Sequence, residues 1–107
     1  MTRTLLILLA ACALCGCSVG KPMTESEFLG FCYQDFDDRR GDCDTISVCD
    51  QYRTVMSKQF SSKADCLADC AATYAQQANR FVMTGCAGAA ENARDWCDRF
   101  CRDSVAP

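Results

Sequence analysis

Histidine is absent from the whole chain. Its absence removes the commonest general base near neutral pH and the commonest metal ligand together. No basic stripe is present: residues 18–107 carry ten Lys/Arg against fourteen Asp/Glu, a net charge of −4, with the two signs interspersed. Nucleic-acid binding calls for clustered cations, so no nucleic-acid partner is expected, and an anionic membrane surface is a poor partner electrostatically. The only apolar run of any length, Leu5 to Leu14, has ten residues, about half of the roughly 20 that a bilayer-spanning helix needs. Strand-type alternation is missing. After residue 17 there is no C-x-x-C pair, which argues against thioredoxin-type redox chemistry.

What is present begins with a leader, MTRTLLILLAACALCGCSVG. Arg3, a short apolar stretch and then small residues follow the pattern of a cleaved export signal. Leu14-Cys15-Gly16-Cys17 resembles a bacterial lipobox, in which a small residue precedes the cysteine that takes up diacylglycerol. The resemblance implies a signal peptide over 1–16, an acylated tether over 17–23 and lipidation of Cys17 with palmitate-type chains. Leu9-Ala10-Ala11-Cys12 also resembles the motif and leaves Cys12 as the alternative, with a signal of only eleven residues. An ordinary secretory signal is the third reading. Acylation of Cys17 or of Cys12 leaves an even number of thiols, whereas acylation of Cys15 leaves an odd one. Ser18 after the acylated cysteine resembles outer-membrane sorting in a two-membrane bacterium.

Of the eleven cysteines, eight lie beyond Cys17, in about ninety residues. A chain of that size buries a modest core and commonly needs covalent help; this cysteine density is that of a disulfide scaffold in an oxidising compartment. Residues 24–107 are expected to form one such domain.

Thr24 and Glu27 make a T-x-x-E capping box, and Phe28, Leu29, Cys32 and Phe36 follow at helical spacing, predicting helix 1 near 25–38. Arg39-Arg40-Gly41-Asp42 breaks it. Asp44 is placed to cap helix 2, near 45–58, whose apolar side is expected to hold Ile46, Cys49, Tyr52 (or the Arg53 stem) and Met56. Ser62 with Asp65 starts helix 3, whose stripe is Leu67, Cys70, Ala71, Tyr74, Ala78, Phe81 and Val82. Thr84-Gly85 ends it, Gly85 as a left-handed cap. Helix 4 is expected near 88–103, with Ala89, Ala93, Trp96, Cys97 and Phe100 inward. The fold class is therefore all-α: a small disulfide-rich four-helix up-down bundle made of two helical hairpins.

In an antiparallel helix pair, residues equidistant from the turn face each other. Cys66/Cys101 and Cys70/Cys97 share one midpoint, beside Thr84-Gly85, and their C-x-x-x-C spacing puts two thiols on one helix side. Cys32/Cys49 is centred between Arg40 and Gly41. Cys43 and Cys86 remain, each just after a turn at the same end of the bundle. The predicted bridges are Cys32–Cys49, Cys43–Cys86, Cys66–Cys101 and Cys70–Cys97. The paired C-x-x-x-C layout resembles the helical hairpins of plant α-hairpinin peptides. The match covers Cys66, Cys70, Cys97 and Cys101 alone, across a longer interval of 26 residues, and implies shared geometry and no function.

Candidate chemistry is sparse. Asp35, Asp37, Asp38, Asp42 and Asp44 cluster at the first turn, but an EF-hand loop starting at Asp35 would put Arg40 where glycine is needed; a solvated turn fits better. No metal site, no cofactor, no catalytic residue and no small-molecule substrate is evident, and the chain is not expected to be an enzyme. Phe28, Leu29, Phe31, Cys32, Tyr33 and Phe36 spread over about 200° of helix 1, wider than the roughly 100° a core-facing stripe needs. Phe31 and Tyr33, at the edges, are a possible partner face; the competing reading is a helix enclosed on two sides. The expected role is a lipid-anchored cell-envelope protein, structural or engaged with an envelope or secreted protein partner. The alternative is an inhibitor or regulator of a secreted or envelope hydrolase, projecting Arg39-Arg40-Gly41-Asp42 as a rigid loop. A small-ligand carrier would need a cavity that helices rich in alanine leave little room for.

Overall fold

A computed structural model describes residues 21–34, 43–81 and 85–107. All regular structure among them is helical: α1 (Glu25–Tyr33), α2 (Thr45–Asp50), α3 (Arg53–Met56), α4 (Lys63–Phe81) and α5 (Ala87–Ser104). None of these helices is long and apolar enough to cross a membrane.

The helix starts follow their local chemistry. The Thr24 hydroxyl accepts the Glu27 N–H at 3.1 Å, and the Glu27 carboxylate accepts the Thr24 N–H at 3.1 Å, so two otherwise orphaned donors are satisfied reciprocally. Those hydrogen bonds, with Lys21 beside the carboxylate, hold Glu27 below the ordinary carboxyl range. Asp44 Oδ1 accepts from Ser47 N–H at 3.1 Å, and Ser62 Oγ from Asp65 N–H at 3.2 Å. Gly85 has φ +74°, the left-handed geometry that a side chain disfavours.

Helix 1 is shorter than expected. Gln34 N–H turns back to Phe31 O at 3.3 Å, a three-residue closure that ends α1 at Tyr33; positions 35–38 lie outside the described residues. Expected helix 2 divides into α2 and α3. At the break, Tyr52 N–H donates to Cys49 O at 3.0 Å, leaving the Val48 carbonyl without its donor four residues on. Gln77 from α4 supplies the replacement, its Nε2 donating to Val48 O at 2.8 Å. The buried side across this break is Val48, Cys49, Tyr52, Val55 and Met56. Ile46 is 59 % exposed, correcting the expectation that it faces inward: two residues before Val48, it sits about 200° round the helix.

α5 is the central element, packing against α4, α1 and α2, while α3 packs on α4. Seven of the seventeen buried apolar residues are half-cystines, and among the others only Phe28, Tyr52, Val48, Val55 and Ala93 are buried almost completely. Side-chain carbon alone therefore does not fill this interior.

Candidate functional site

All four expected sulfur pairs are at bonding distance: Cys32–Cys49, Cys43–Cys86, Cys66–Cys101 and Cys70–Cys97, with Cα separations of 6.0, 5.0, 5.6 and 5.8 Å. The last two staple α4 to α5 one turn apart. The first ties α1 to α2, and Cys43–Cys86 joins the residue before α2's cap to the start of α5. Sγ of Cys70 and Cys101 approach to 3.5 Å, and with Cys66 they form a buried trio of sulfurs. That trio is the closest approach to a metal cage among the described residues. Every sulfur in it is spent in a disulfide, and zinc binds thiolate, not disulfide sulfur. Such bridges form and persist in an oxidising compartment.

The outer side of α1 carries the other expected site residues, and the structure sends them to opposite flanks. Phe28 and Cys32 point inward and are fully buried, whereas Phe31 is 41 % exposed. The Phe31 ring stacks on Trp96 of α5, centroids 4.4 Å apart and planes 8° from parallel. The Arg99 guanidinium lies 5.3 Å from the Trp96 centroid, within cation–π range, and faces Asp103 at 3.6 Å. Tyr33, two positions on, turns to α2. Its ring packs against the core and its hydroxyl donates to Asp50 Oδ1, an acceptor that raises the phenol's pKa above the usual value, with burial adding to it. α1 is thus clasped on one flank by aromatic stacking and on the other by a polar contact. Arg53 reinforces the second flank, Nε donating to Glu25 at 2.9 Å.

Nothing matches this chain among family models, curated proteins or solved structures. Its residues must carry the functional argument by themselves.

Between α2–α3 and α4 runs an open polar groove lined by Gln51, Thr54, Gln76 and Arg80 together with the ion-paired Lys58 and Asp69. Amides, a hydroxyl, a guanidinium and the Lys58–Asp69 ion pair offer hydrogen bonds there. Asp98 is the described carboxyl pushed upward, chiefly by burial, with Arg94 and Arg102 opposing the shift; Arg94 Nε stands 3.9 Å away. Tyr52 is pushed up by burial as well. Cys17 and Cys12, the expected lipidation sites, lie outside the described residues. So do Asp35, Asp37, Asp38 and Asp42 of the acidic turn, and Arg39-Arg40-Gly41-Asp42 as a loop. Asp44, the last of that cluster, is the cap of α2.

Gln77 and Trp96 are what sequence reasoning placed incompletely. Gln77, which is not on the expected helix 3 stripe, is fully buried. The available signal was its register, seven residues after Cys70 on the same face. Trp96, on the expected helix 4 stripe, packs against the core while staying half-buried, and it also forms the floor on which Phe31 rests.

Proposed function

We propose that the chain is a lipid-anchored cell-envelope protein, acylated at Cys17 (with Cys12 the alternative), whose domain serves a structural or protein-binding role. The observation that carries the protein-binding part is the stacked Phe31–Trp96 pair. Two large aromatic rings, one of them 41 % exposed, are held in fixed orientation beside Arg99. Aromatic and arginine side chains with little rotamer freedom to lose are the groups that most often anchor protein interfaces. The scaffold beneath is read as an up-down bundle of two helical hairpins. The opposed numbering of Cys66–Cys101 with Cys70–Cys97, and of Glu25–Arg53 with Cys32–Cys49, supports that reading. The bridges support export, and the lipobox-like leader supports an anchored form facing the periplasm or exterior.

The test has two parts. Cys17→Ser should abolish fatty-acid labelling of the chain; retained labelling would move the anchor to Cys12. Crosslinking in intact envelopes, read by mass spectrometry, should yield a partner whose recovery falls at least tenfold in Phe31→Ala while the domain stays folded. Unchanged recovery would remove the aromatic pair from the interface. The inhibitor reading has one support of its own, the Cys43–Cys86 bridge that fixes the chain beside Arg39-Arg40-Gly41-Asp42. It requires copurification with a hydrolase whose activity the domain suppresses.

A further inference from the structure

The chain meets the domain at one end, and the length of tether before that point restricts how the domain can stand. Met23 is buried, and its carbonyl accepts the Ser104 hydroxyl at 2.8 Å. The incoming chain is therefore fixed beside the last turn of α5. The turn between α3 and α4 lies at the same end: Lys58, Gln59, Phe60, Phe100, Ser104 and Val105 line one shallow concavity. The opposite end holds Gly85, the Cys43–Cys86 bridge and the start of α2.

We propose that the Met23–Phe60–Val105 end of the domain rests on the lipid headgroups and that the Cys43–Cys86 end points away from the bilayer. The inference rests on the Cys17 anchor proposed above. Six residue steps separate Cys17 from Met23, a reach of about 20 Å at full extension and about 13 Å for a relaxed flexible chain. α5, with eighteen residues, is about 27 Å long. Standing the domain on its Cys43–Cys86 end would lift Met23 by roughly that length, farther than the tether can stretch. The reverse orientation is thus closed off by covalent length alone and needs no attraction between protein and lipid. The near end suits a headgroup surface in its chemistry too. Phe60 and Val105 are half-buried, packed on the core with an edge outward, beside two ion pairs, Lys21–Glu27 and Lys58–Asp69, whose opposite charges match a zwitterionic headgroup layer. A protein partner is left the flanks, where Phe31 and Trp96 lie, and the far end, where Ile46 is exposed.

The experiment uses the full acylated chain in phosphatidylcholine vesicles that contain a lipid with a nitroxide on its headgroup. Trp96→Phe removes the only tryptophan. Into that background Phe60→Trp or Val105→Trp places a reporter at the near end, and Ile46→Trp places one at the far end. Nitroxide quenching of either near-end reporter should exceed that of Ile46→Trp at least twofold. Inserting twenty Gly/Ser residues after Gly20 should erase the difference. Equal quenching with the native tether would mean that the domain lies on its side, and stronger quenching of Ile46→Trp would mean that it inverts; either overturns the proposal. Acyl content, measured by mass spectrometry on the same vesicles, separates the two claims. An acylated Cys17 with equal quenching refutes the orientation alone, and a chain without acyl at Cys17 refutes the anchor and the orientation together.

Discussion

Removing Cys43–Cys86 should cost more stability than removing Cys70–Cys97, although Cys70 and Cys97 are the more deeply buried pair. The reason lies in what each bridge closes in the unfolded chain. Cys43 and Cys86 are 43 residues apart, and no other bridge links the α1–α2 pair to the α4–α5 pair. Detours through the remaining bridges shorten the open path from Cys43 to Cys86 by only about five residues, so the loop-closure relation gives about 4 kcal/mol at 25 °C. Cys70–Cys97 spans 27 residues, but Cys66–Cys101 closes the same hairpin one turn away. With that outer bridge intact, the path round is four residues on each strand of the ring, and the same relation gives about 2.5 kcal/mol. Losing one buried sulfur from each cysteine adds about 0.8 kcal/mol per atom when it is treated as a methylene-sized group. That penalty falls more fully on Cys70 and Cys97 and narrows the gap without closing it. The assay is urea unfolding of Cys43→Ala/Cys86→Ala and Cys70→Ala/Cys97→Ala under non-reducing conditions, followed by far-UV circular dichroism. The first variant should also show the larger m-value, because its unfolded chain expands more. Equal midpoints with unchanged m-values, or a greater loss in Cys70→Ala/Cys97→Ala, would refute the entropic account of these bridges.

Gln77→Leu strands the Val48 carbonyl in the interior at the α2–α3 break and should destabilise the domain by about 1–3 kcal/mol, the cost of a buried polar group left unpaired; thermal unfolding checks it, and a neutral result would show that the break does not depend on Gln77. The Glu27 carboxyl stands below its ordinary value of 4.5 in the folded chain, so its contribution is fully present above that value and is lost as pH falls through the lower, native one. Glu27→Gln should flatten that part of the stability–pH profile, and an identical acid limb in the variant would contradict the capping-box account.

The pairing of the cysteines was legible because it needs only the turns and the spacing. Reflection about Thr84-Gly85 relates four cysteines at once, and the caps at Thr24, Asp44 and Ser62 are local patterns that few alternatives imitate. The division of helix 2 was not legible. Residues 45–56 contain no proline or glycine, and the group that satisfies the freed Val48 carbonyl comes from 29 residues away. Ile46 was misplaced for the same reason: a periodic stripe fixes which residues share a face, and neighbouring helices decide which face turns inward. The width of the apolar arc on α1 did mark Phe31 and Tyr33 as its margins. Their separate partners, Trp96 and Asp50, belong to the assembled chain and left no trace in the spacing of helix 1.

An interior built so largely of sulfur also sets a timetable. Before oxidation its centre is a set of small thiols on helices with few large aliphatic side chains, which hold one another weakly. Such a polypeptide has little reason to collapse under reducing conditions. Compaction and crosslinking then arrive together, once electron acceptors for thiols are at hand.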